Sequence, residues 1–148
     1  MSNFNELPAF GAYAWSTILL ATNLVVTWGL SGGFRAKSKT TNNPEDLGTV
    51  SKGATLVAQD PEGVTRGLRV FNNAQANIVP WFMAATLFTL LGGPASQASI
   101  LFGIFVAARW THSIVYLAGK QPWRTLSFAV GALCIGVTLV LDVVRLVS

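Results

Sequence analysis

Four long apolar stretches leave this 148-residue chain few ways to fold. They cover about Ala9–Gly33, Asn77–Gly92, Ala95–Ala118 and Leu126–Val147. A helix that crosses a bilayer needs roughly 20 apolar residues. The second stretch is short, but Val64–Ala76 before it holds no proline and can be helical. That helix is expected to begin near Glu62 and to carry polar residues into the membrane region. Only 11% of residues are charged and 51% are hydrophobic, against about 25% charged in a soluble domain. The expected fold class is all-α integral membrane, a four-transmembrane-helix bundle. By length it is a single domain over residues 1–148, with spans at about 9–35, 62–92, 95–118 and 123–147 and a loop at 36–61.

The first stretch is too long for a signal-peptide core and has no basic residues before it, only Glu6, so it reads as a retained span. Loop one and the start of span two carry Arg35, Lys37, Lys39, Lys52, Arg66 and Arg69. Loop three and the start of span four carry Lys120 and Arg124, whereas Gly92–Gln97 is uncharged. The positive-inside rule therefore puts loops one and three in the cytoplasm and both termini on the opposite side. The membrane is the inner membrane of a bacterium or the endoplasmic reticulum of a eukaryote. Tyr13, Trp15 and Trp28 suit interfacial positions. The lone Cys134 can form no internal disulfide and has no metal-ligand partners nearby, so it reads as a packing residue. No metal site and no nucleic-acid partner are expected.

Inside the third stretch stand Arg109, His112 and Tyr116. Their i, i+3, i+7 spacing projects them from one helix face. Arginine in a membrane span is costly unless it faces a protein interior or a wet cavity. On span two, Arg69, Asn73 and Asn77 follow at i, i+4, i+8. Arg35 ends span one, and Arg124 and Thr125 open span four, so all four helices bring polar groups to one level. No acidic residue lies between Arg66 and Asp142. Five guanidinium groups (Arg35, Arg66, Arg69, Arg109, Arg124) without a counter-ion would repel one another. An anionic ligand is the expected remedy, and arginine suits carboxylates, which it can grip bidentately. Each residue also has a bland use: helix-end charge for Arg35 and Arg66, interhelical bonding for Asn73 and Asn77, packing for His112, an interfacial belt for Tyr116.

Several motifs carry a resemblance. They are Ala9-Phe10-Gly11-Ala12-Tyr13, Asn43-Pro44-Glu45-Asp46, Lys52-Gly53, Val64-Thr65-Arg66-Gly67-Leu68-Arg69-Val70-Phe71-Asn72-Asn73, Asn77-Ile78-Val79-Pro80-Trp81-Phe82, Ala108-Arg109-Trp110-Thr111-His112-Ser113-Ile114-Val115-Tyr116-Leu117 and Pro122-Trp123-Arg124-Thr125-Leu126-Ser127-Phe128. In these the chain resembles the membrane-associated proteins in eicosanoid and glutathione metabolism (MAPEG), closest to the branch of microsomal glutathione transferase 1 and microsomal prostaglandin E synthase. The resemblance implies a homotrimer of four-helix subunits with glutathione, as co-substrate, held at subunit interfaces on the cytosolic side. It implies binding by Arg35 from one subunit and by Arg69, Asn73, Asn77, Arg109, His112 and Tyr116. Arg124 and Thr125 match the pair held near the glutathione sulfur. The second substrate would be lipophilic and arrive from the bilayer, with membrane lipids around the trimer.

One departure stands out. The family pattern after Asn73 reads acidic, any, glutamate, asparagine; this chain reads Ala74, Gln75, Ala76, Asn77. Two functions are therefore carried forward. The first is a glutathione transferase, with possible peroxidase activity, that activates the thiolate against lipophilic electrophiles or lipid hydroperoxides. Free thiols titrate near pH 8.5, and a nearby cation and a helix N-terminus both lower that value. The second is a non-catalytic lipid-binding or scaffold protein of the same fold, with glutathione binding weakened or lost.

Overall fold

The computed structural model describes residues 4–148 and contains four long helices. They are α1 (Phe10–Ser38), α2 (Glu62–Leu90), α3 (Ala95–Leu117) and α4 (Trp123–Val147). Short 3-10 turns cover Phe4–Glu6 and Pro44–Gly48. Loop one also holds a feature no periodicity announced. Two-residue strands β1 (Thr40–Thr41) and β2 (Thr55–Leu56) pair in parallel, Thr40 with Thr55 and Thr41 with Leu56. Asp46 supports the turn between them by accepting from Asn43 Nδ2 at 3.1 Å.

The helices pack as a four-cornered bundle. Neighbours are α1 with α2, α2 with α4, α4 with α3, and α3 with α1; α2 and α3 touch across one diagonal, and α1 and α4 do not touch. Trp81 fills the middle. Its ring stacks on Phe105 at 5.2 Å and 4°, meets Phe102 edge-on at 5.4 Å, and lies 6.5 Å from Tyr13. Tyr13 packs inward: half-buried, it shares a 2.9 Å hydrogen bond with Thr86 Oγ1. Trp15 and Trp28 do face outward. Cys134 is buried in the core.

The surfaces of α1 and α4 invert the soluble pattern. The buried stripe of α1 is Ser16, Leu20, Asn23, Thr27 and Ser31, and that of α4 is Ser127, Gly131, Cys134, Thr138 and Asp142. Their outward faces are Ile, Leu, Val, Phe and Trp. Small and polar residues between helices, with apolar ones outside, suit a hydrocarbon solvent. Asn23 and Ser113 show the use, with Asn23 Nδ2 donating to Ser113 Oγ at 3.2 Å. Three helices, α1, α3 and α4, are long and apolar enough to cross a membrane. The fourth, α2, does not meet that measure among the described residues, because its first half carries Arg66, Arg69, Asn72, Asn73, Gln75 and Asn77.

Candidate functional site

The α3 row forms a seam between α2 and α4. Its spacing puts Arg109 and His112 on the buried face, where both are almost wholly enclosed. Arg109 reaches to α2, and its Nη2 donates to Asn73 Oδ1 at 2.7 Å. Gly131 of α4 lies beside it; a Cβ there would sit 3.6 Å from Arg109 Cδ. The other guanidinium nitrogens, Nε and Nη1, are buried with no partner. A fully buried guanidinium with one amide acceptor and no carboxylate is an expensive arrangement.

His112 reaches the other way. Its Nδ1 lies 3.0 Å from the Arg124 carbonyl oxygen and 3.3 Å from Ser127 Oγ. A carbonyl can only accept, so Nδ1 carries the proton and the neutral ring leaves a lone pair on Nε2. Nε2 is buried and unpartnered. His112 thereby fixes the first turn of α4. Tyr116, one turn further and half-buried, takes the Arg124 guanidinium over its ring at 4.8 Å, a favourable cation–π contact. With the Gln121 amide turned to satisfy both neighbours, its oxygen accepts from Arg124 Nη2 at 2.8 Å and its nitrogen donates to Thr125 Oγ1 at 3.1 Å. Thr125 itself is exposed.

The expectation of five arginines without counter-ions is corrected here. Arg35 Nη2 pairs with Asp60 Oδ2 at 2.6 Å. Glu62 takes Arg69 at 2.8 Å and Arg66 at 3.2 Å. These acids precede Arg66 in sequence but return to the cluster because Asp60 abuts the end of α1 and Glu62 opens α2. Of these five, only Arg109 and Arg124 remain without a carboxylate among the described residues. The i, i+4 spacing of Glu62 and Arg66 was a visible signal for part of this; Asp60 had none, since its pairing depends on the loop fold. Gln121 and Ser127, which brace Arg124, Thr125 and His112, also escaped the sequence reading.

The structure therefore lines up two groups along α3, Asn73 with Arg109 and His112 and Tyr116 with Arg124, with Thr125 attached through Gln121. Asn77 stays on its own helix, donating to the Asn73 carbonyl at 2.8 Å. Arg69 is exposed on α2. Arg35 lies on the helix that α4 does not touch, held to Asp60 instead of the α3 row. The two alanines face different ways. Ala74 is fully buried in the core with Ile78 and Trp81, whereas Ala76 is exposed. A carboxylate at 74 would enter the bundle interior; one at 76 would stand on its surface.

A membrane helical bundle with a cationic seam between three of its helices is the class that the fold and site define. The chain belongs to the MAPEG family, whose model matches residues 12–143. It is 40% identical over 136 residues to microsomal glutathione S-transferase 1 of Rattus norvegicus, covering 90% of this chain and 84% of that protein. Against the Homo sapiens protein of the same name the identity is 37% over 134 residues, covering 88% and 83%. Prostaglandin E synthase of Equus caballus is 28% identical over 134 residues, covering 90% and 84%.

Proposed function

We propose that the protein is a glutathione-dependent transferase of the membrane, working as a homotrimer in which each site forms between two copies. The observation that carries this reading is Arg124: a guanidinium without a carboxylate partner in the first turn of α4, held over Tyr116 and anchored through His112. Cation and helix terminus together favour a thiolate over a thiol at that point. Thr125 donates a hydrogen bond to the same sulfur. Arg69, Asn73, Asn77, Arg109, His112 and Tyr116 orient the peptide, with Arg69 turning from Glu62 toward a ligand carboxylate.

Assembly between copies has two supports. Within one chain Arg35 stands on α1, the corner opposite α4, and is held by Asp60, so it would meet this site only from a neighbouring copy. The exposed face of α2 bears Arg69, Asn72 and Gln75, groups that lipid cannot satisfy and a second copy can. Three copies is the number that the family resemblance implies. In this reading the whole chain is a single membrane domain, and α2 is the fourth crossing. Its 29 residues span about 43 Å at 1.5 Å each, so the polar first turns lie at and beyond the cytosolic boundary. Loops one and three lie on that side, with Lys37, Lys39, Lys52 and Lys120.

The thiolate attacks a lipophilic electrophile that enters from the bilayer. With 1-chloro-2,4-dinitrobenzene the carbon–sulfur bond forms, chloride leaves and the thiol proton goes to solvent. With a lipid hydroperoxide two glutathione molecules yield the disulfide, an alcohol and water. Purified protein should conjugate glutathione to 1-chloro-2,4-dinitrobenzene, and Arg124→Ala should lower kcat/KM by roughly 10²–10³-fold, the worth of one preorganised charge donor. Full activity in that variant overturns the catalytic assignment. The exposed methyl of Ala76 favours a second reading, lipid binding without catalysis. Calorimetry with no detectable glutathione binding would select it.

A further inference from the structure

The acidic groups at this end of the bundle are bonded elsewhere or stand in loop one, away from the α3 row. Among the described residues, Asp60 is bonded to Arg35, Glu62 to Arg66 and Arg69, and Asp46 to Asn43. Glu45 lies exposed in the turn of loop one. Glu6 precedes α1 at the other end of the bundle. Asp142 is 18 residues beyond Arg124 on α4, about 27 Å along the axis. The side-chain oxygens bonded to the two uncompensated guanidinium groups are amides, and both are occupied: Asn73 Oδ1 by Arg109 and Gln121 Oε1 by Arg124. Arg109 still has two buried donors without an acceptor. At Arg109 donors exceed acceptors, and neither Arg109 nor Arg124 has a carboxylate partner.

The stripe on α2 locates the gap. Arg69, Asn73 and Ala76 recur at i, i+4, i+7, so they share a face. The middle member bonds Arg109, and the third offers an exposed methyl group. A ligand on this stripe lies against Arg69, with Arg109 behind half-buried Asn73, where the surrounding protein screens the charge poorly. A carboxylate here completes the arginines. An ammonium must give up its water; at Asn73 it meets an amide oxygen already held by Arg109, and at Glu62 a carboxylate already shared by two arginines.

We infer that this chain selects its thiol ligand by carboxylates alone, so the class it takes best is an anionic cysteinyl thiol without a free amino group. The inference rests on the reading of the site as a thiol-peptide site. Glutathione is the less favoured case within that class, since it brings two carboxylates and one ammonium. Replacing its amino group by hydrogen gives glutaryl-cysteinyl-glycine, which keeps both carboxylates and the thiol.

Calorimetric titration of the full-length protein in nanodiscs with these two peptides, kept reduced, tests it. The amine-free peptide should bind at least as tightly as glutathione and up to about tenfold more tightly, with the ratio growing as salt is lowered. Glutathione binding tenfold more tightly than its analogue overturns the inference and leaves the proposed function standing. Failure of both peptides to bind overturns both. Ala76→Glu should reverse the order, favouring glutathione, whereas Ala76→Gln, of the same size without the charge, should not. An unchanged order in a folded Ala76→Glu protein also overturns the inference. If that variant does not fold, the ratio in the unaltered protein decides alone.

Discussion

Helices α2 and α4 touch along the bundle yet are written for different solvents. The helix α4 hides Ser127, Gly131, Cys134, Thr138 and Asp142 and shows Leu133, Val140 and Val143. The helix α2 hides Val64, Val70, Ile78, Trp81 and Phe88 and shows Arg69, Asn72 and Gln75. The first pattern places apolar side chains where only lipid can welcome them. The second is the ordinary amphipathic pattern of a helix beside water or a polar partner. The difference teaches where this chain meets its surroundings: lipid along α4, and along the first half of α2 something that hydrogen-bonds. The cationic seam runs where these two kinds of helix are joined by the α3 row.

The comparison breaks hardest at Trp81. If the buried face of α2 is the packing centre, Trp81→Ala should cost about 3–5 kcal/mol, read as lost thermal stability in detergent. A loss under 1 kcal/mol would mean that α2 docks loosely and that the core lies elsewhere. A second test sets the outer faces against each other. Lysine near the middle of a lipid-facing helix costs about 2.5–3.5 kcal/mol on insertion scales, so Leu133→Lys on α4 should sharply reduce membrane insertion. Gln75→Lys on α2 should be well tolerated. Equal penalties at both positions would erase the distinction between the faces.

Legibility in the sequence followed the same division. Runs of apolar residues announced α1, α3 and α4, because membrane helices are apolar on the side that meets the lipid. The start of α2 at Glu62 was readable from the proline-free stretch after Pro61, and its end from Gly92-Gly93-Pro94, where Gly92 adopts φ +70°. The seam was half legible. Helical spacing put Arg109, His112 and Tyr116 on one face, yet spacing could not say that Arg109 would turn to Asn73 while His112 turned to α4. Partners across a bundle depend on which corners adjoin, and nothing local in the chain encodes that. The same reason hid Asp60 as the partner of Arg35 and the parallel pairing of Thr40 with Thr55.

A third test concerns the bond that joins α2 to the row. Asn73→Ala leaves buried Arg109 only the long 3.5 Å contact to the residue 73 carbonyl, and hydrogen bonds to charged groups contribute about 1.5–3 kcal/mol. The loss should appear in chemical denaturation, and adding Arg109→Met should recover most of it, because a buried charge is then replaced by apolar volume. If the double variant is no more stable than Asn73→Ala alone, the two residues do not act as a pair.

The smallest effect is expected where α2 meets water. Glu62 bridges Arg66 and Arg69 with 64% of its side chain exposed. Pairs of this kind contribute about 0–1 kcal/mol and weaken with salt. Glu62→Gln should therefore leave stability almost unchanged. Its consequence should fall on binding, because Arg69 loses a competitor and becomes free to meet an anion. Peptide affinity should rise about two- to fivefold at low salt, and the gain should fade as ionic strength increases. A drop in affinity would show that Glu62 holds Arg69 in its working position, and α2 would then be preorganised at its exposed end as firmly as at Trp81.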